Sequence, residues 1–96
     1  MYTIEDLKTI LSPIAKQYGV NRLSVFGSVA RGEATEKSDV DLLVDLPKGW
    51  GLLELSGMYV DIEEALNCSI DLVTTGIEDR QFLRKIQQDE VILYEQ

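Results

Sequence analysis

Three aspartates stand where aspartate is uncommon. Asp39 and Asp41 open a β-rich run over residues 39–46, and Asp71 sits between Ile70 and Leu72 in a second run over residues 69–74. Strand residues i and i+2 share a face, about 6.6 Å apart at ~3.3 Å per residue. Val40, Leu42 and Val44 then face the other way, into a core. Two carboxylates so placed repel, and each raises the other's pKa unless a cation neutralises them. Mg2+ suits that task, because it takes oxygen ligands from one or two carboxylates and completes its shell with water and substrate phosphates. If the Asp71 strand lies beside the first, three carboxylates converge. That number can hold two cations around a triphosphate and clamp the attacking and leaving oxygens of an in-line displacement. Water-facing strands also carry acids without function, but aspartate is depleted in strands. Asp45 shares the parity of Asp41 yet borders the Pro47 turn, and reads as solvated.

Gly27–Ser28 precedes the aspartate pair. Glycine lets backbone turn sharply or approach a phosphate, and Ser28 adds a hydroxyl. Gly27 and Gly32 have the glycine spacing of a phosphate-binding P-loop, but Glu33–Ala34 stands where Lys–Ser/Thr is required, which excludes that motif. Arg31 has two readings at this point, a phosphate contact or a tie from a helix end to Glu33 or Glu36. The other basic residues read as solvated faces. The chain has no histidine, which removes serine–histidine triads and most zinc sites. Its single cysteine, Cys68, reads as a small apolar residue rather than a nucleophile.

The elements that must position these groups follow from periodicity. Leu7, Ile10, Leu11, Ile14 and Tyr18 form one helical stripe over residues 3–18, with Thr3 as cap, Asp6 as the capping-box acid and Gly19 as stop. Pro13 either kinks this helix or restarts it with Ser12 as a new cap. A short strand is expected at residues 22–26 and a helical turn between Ser28 and Gly32. Residues 33–38 are polar loop. A second helix is expected over residues 52–66, ended by Asn67, with Tyr59 in the core. Trp50, between Gly49 and Gly51, packs on the nearest helix in this reading. A last helix over residues 78–88 turns Phe82, Leu83 and Ile86 inward, and residues 91–94 form a final strand. The order α-β-(α)-β-α-β-α-β means a single α/β or α+β domain, helices packed on one small sheet.

The pattern G-S-x-A-R-G, a short polar gap, then S-D-x-D-L-x-V resembles the minimal nucleotidyltransferases, the smallest branch of the DNA polymerase β superfamily. Gly27, Ser28, Ala30, Arg31, Gly32, Ser38, Asp39, Asp41, Leu42 and Val44 carry it, and Asp71 stands where that family has its third acid. The resemblance implies a polymerase-β-like fold with a small mixed sheet. It implies that Gly27, Ser28 and Arg31 meet nucleotide phosphates, and that Asp39, Asp41 and Asp71 hold two Mg2+ ions, Asp71 also helping to activate the attacking hydroxyl. The implied reaction is transfer of AMP from ATP with release of pyrophosphate. Stand-alone members are antitoxins of HEPN toxin–antitoxin pairs, attaching AMP to a tyrosine of the HEPN-domain RNase in a complex with it.

Charge frames the alternatives. Nine basic residues against seventeen acidic ones give a net charge of −8, so no basic face is available to hold a nucleic acid. A triphosphate would be repelled unless a metal mediates. An acidic domain also suits a basic partner, so a non-catalytic module that blocks an RNase by contact is the second reading. Nucleotidylation of a small molecule is the third, disfavoured because so short a chain cannot enclose a pocket of the usual few hundred Å³. No membrane-length apolar run and no leader-like opening are present, so the cytoplasm is the expected compartment.

Overall fold

The computed structural model describes residues 2–96. In chain order the elements are α1 (Ile4–Tyr18), β1 (Arg22–Phe26), α2 (Gly27–Arg31), β2 (Val40–Asp45), α3 (Leu52–Leu66), β3 (Ile70–Thr74), α4 (Arg80–Gln87) and β4 (Val91–Glu95). The four strands form one mixed sheet in the order β3-β2-β1-β4. β1 pairs antiparallel with both β2 and β4, whereas β2 and β3 run parallel, joined through α3. Among the described residues no helix is long and apolar enough to cross a membrane.

The strands alternate as their sequences dictate. Leu23, Val25, Val40, Leu42, Val44 and Ile70 face α1 and α3, which bury Leu7, Leu11, Ala15, Met58, Ile62 and Leu66 against them. Each fully buried leucine or isoleucine contributes roughly 1.5–3 kcal/mol. The two helices are also clasped by polar contacts. The Tyr18 hydroxyl donates to Asp61, Tyr2 donates to the Leu66 carbonyl, and Trp50 packs edge-on against Tyr18 with ring centroids 6.0 Å apart. Tyr59 packs on the same core and donates to the Ile70 carbonyl at 3.3 Å.

The opposite sheet face is only partly covered. Phe26 and Leu43 meet Leu83 and Ile86 of α4 in a second, smaller cluster. Leu83 and Ile86 are the buried residues of α4, with Val73 and Ile77 packed beside them, and its Phe82 is 40% exposed, contrary to the inward placement expected from the sequence. Phe82 directly precedes Leu83, about 100° round a helix that is too short to bury a wider arc.

Three further details differ from the sequence reading. α1 runs unbroken through the exposed Pro13, with the Thr3–Asp6 capping box and the Gly19 stop in place. Ser12 is not a cap, since its hydroxyl donates to the Leu93 carbonyl at 3.3 Å. α2 begins at Gly27, before Ser28. β2 begins at Val40, which leaves Asp39 in the loop ahead of it.

Candidate active site

The site is built where β2 and β3 begin. In the parallel register Asp41 lies directly opposite Asp71, and across β1 it lies opposite Phe26. Neighbouring strands are about 4.8 Å apart, so two carboxylates share one face with no residue between them. Asp41 is half-buried and Asp71 exposed. Burial first, then the hydrogen bond and charge of Asp71, then the charge of Asp39 push the Asp41 carboxyl up to about 6, while Arg31 opposes the shift.

Gly27 closes the site from below. It follows Phe26 with φ +71, a left-handed conformation open to glycine, and a Cβ there would collide with the Asp41 carboxylate. The glycine is therefore required twice, by its backbone angle and by the acid pressed against it. Ser28 comes next on α2, half-buried. The Gly-Ser pair and the acid pair, separate in sequence, are thus one structural unit.

Asp39 is exposed and lies one residue before β2, outside the strand in which the sequence reading placed it. Its charge nonetheless reaches Asp41. The loop that delivers it is tied by Ser38, whose hydroxyl accepts from the Thr35 N–H at 2.9 Å. Among the described residues no three potential ligands are already gathered tightly enough for a metal ion. The donor set is nevertheless a divalent one, all carboxylate oxygen, with Asp41 and Asp71 adjacent and Asp39 near enough for its charge to reach Asp41. Burial first, and then the neighbouring Asp71, disfavour the Asp41 carboxylate, and a bound cation would offset both. The residues fit Mg2+ on these grounds.

Arg31, at the end of α2, forms ion pairs with Asp89 at 2.8 Å and Glu33 at 3.2 Å. The Glu33 tie was one of its two sequence readings; Asp89, the nearer partner, is a residue the sequence reading missed. Asp45 is half-buried and accepts from the Thr75 hydroxyl at 3.3 Å, so it is less solvated than expected. Burial raises the Cys68 thiol above its ordinary pKa, the wrong direction for a nucleophile.

Residues 4–94 match the family described as Nucleotidyltransferase domain. The chain is 40% identical over 77 residues to the protein adenylyltransferase MntA of Thermococcus cleftensis, covering 76% of this chain and 78% of that one. A Methanocaldococcus jannaschii protein described as a candidate protein adenylyltransferase is 41% identical over 71 residues, 74% of this chain and 76% of its own. Among solved structures, a candidate minimal nucleotidyltransferase superposes with a TM-score of 0.78 at 32% identity, covering 94% of this chain and 95% of that one. A tri-AMPylated Shewanella oneidensis HEPN toxin in complex with its MNT antitoxin shares the fold, with a TM-score of 0.75 at 12% identity, covering 98% of this chain and 74% of that one.

Proposed function

Because this chain belongs to the nucleotidyltransferase-domain family, we propose that it is a Mg2+-dependent protein adenylyltransferase, moving AMP from ATP to a hydroxyl of a partner protein. The observation that carries the reading is the in-register Asp41–Asp71 pair with Gly27 held against it. Relatives named as protein adenylyltransferases support a protein acceptor. The fold neighbour solved with an AMPylated HEPN toxin, together with the sequence resemblance, supports a HEPN-domain RNase as that acceptor, with tyrosine as its modified residue and silencing of the toxin as the outcome.

The residues divide the work. Gly27 and Ser28 bring backbone and hydroxyl up to the phosphates, and Arg31 adds positive charge at their edge. Asp39, Asp41 and Asp71 would hold Mg2+, which supplies Lewis-acid neutralisation of the triphosphate when bound. The acceptor oxygen forms its bond to the α-phosphorus while the bond to the β-phosphate oxygen breaks, and pyrophosphate leaves. Asp71, the more exposed acid, takes the hydroxyl proton. Such a transfer needs positioning and charge neutralisation more than covalent chemistry, so a histidine-free site is sufficient. The domain is open around its acids, and the acceptor must be presented by another molecule.

Co-expression with the partner toxin tests the reading. Wild type should protect growth and the Asp39→Asn/Asp41→Asn variant should not, with AMP on the toxin only in the former. Protection that survives the double variant would establish the contact module instead.

A further inference from the structure

The C-terminal end of α4 carries two acids where its dipole disfavours them. Asp89 and Glu90 directly follow Gln88, the C-cap of α4, and the end of a helix attracts cations rather than carboxylates. Both are compensated from elsewhere. Glu90 pairs with Arg22 of β1 at 3.2 Å and accepts from the buried Ser24 hydroxyl, which fastens the chain to the sheet. Asp89 makes no contact of that anchoring kind. It reaches across to α2 and pairs with Arg31 at 2.8 Å, 58 residues away in sequence.

Resting on the adenylyltransferase reading above, we propose that Asp89 is a positioning residue for nucleotide binding, acting through Arg31. Arg31 carries five N–H donors in a planar fork. Glu33 takes the Nε edge and Asp89 takes Nη1, so two carboxylates fix the guanidinium while Nη2 has no partner among the described residues. The side chain is 43% exposed and remains open to a phosphate. A long flexible side chain held in its binding posture beforehand loses less rotamer freedom when the ligand arrives.

Calorimetric titration of MgATP into the intact protein tests this without an acceptor. Asp89→Ala should weaken binding about 5–10-fold, a coupling of about 1–1.4 kcal/mol, and Asp89→Glu should recover most of it. In an Arg31→Ala background Asp89→Ala should add nothing, since the two act as one unit. Thermal melts identify a variant that loses binding through unfolding, and the Asp89→Glu rescue keeps the proposal testable then. Unchanged or tighter binding in Asp89→Ala, or additive losses in the double variant, would overturn it. Wild type that does not bind MgATP would overturn this proposal and the adenylyltransferase reading together; wild type that binds normally beside an indifferent Asp89→Ala would overturn this proposal alone.

Discussion

At the residue scale, everything turns on the crowding around Asp41. Its carboxyl is pushed from 3.8 to about 6 by burial and by Asp71. A carboxyl raised on folding stabilises the fold while protonated, so its contribution is present below the unfolded value and is lost as pH rises through the folded one. Without metal, the contribution of Asp41 should therefore be lost between those two values, while Asp6 and Glu54, both held low by their capping hydrogen bonds, contribute in the opposite direction. Asp41→Asn should abolish that loss and melt about 4–8 °C higher at pH 7.5, corresponding to about 1 kcal/mol after discounting for solvent access. The same variant should lose AMP transfer by at least about 100-fold. Melts of wild type and Asp41→Asn from pH 3.5 to 8, with and without Mg2+, check this; a difference between the two that does not change with pH would contradict it. Gly27→Ala adds a methyl at φ +71 and into the Asp41 carboxylate. It should cost about 1–2 kcal/mol in stability from the backbone alone and lower transfer by ~10-fold or more, read by denaturant unfolding and product formation. Asp41 was legible in the sequence because an acid inside an apolar run has few structural excuses. Asp89 was not, because its partner Arg31 is 58 residues distant and only the fold joins them.

At the element scale, local chemistry announced most of the structure. The Thr3–Asp6 box, Gly19, Gly32 and Asn67 end their helices as their residue types require, the last with φ +52. Strand alternation predicted which faces of β2 and β3 are buried. Strand order and the parallel β2–β3 pairing were beyond reach, since pairing depends on contacts far apart in sequence. Spacing alone also set the start of β2 one residue early: pairing begins at Val40↔Ile70, which leaves Asp39 in the loop ahead of the strand. Pro13 persists inside α1 because its ring faces solvent while Leu11 and Ala15 on the buried stripe hold the helix in place. Pro13→Ala should then stabilise the domain by about 1–3 kcal/mol and leave transfer unchanged, since α1 packs on the sheet face opposite the acids. A destabilised variant in denaturant melts would contradict this and mean that the proline itself is needed for packing.

At the scale of the whole molecule, a chain with net charge −8 holds its acids at an open sheet end with α4 covering only part of the face. That arrangement suits a reaction whose second substrate is itself a folded surface, and it makes a divalent cation the condition for drawing in a triphosphate. The measurement that tests this most directly is label transfer from ATP, carrying its label on either the α- or the γ-phosphate, to a co-purified HEPN-domain partner. Wild type with Mg2+ should label the partner from the α-position alone, and the signal should vanish with chelator or with Asp41→Asn. Label arriving from the γ-position, label that persists in Asp41→Asn, or an unlabelled partner in the presence of active wild-type fold and Mg2+ would contradict a nucleotidyl transfer centred on the Asp41–Asp71 pair.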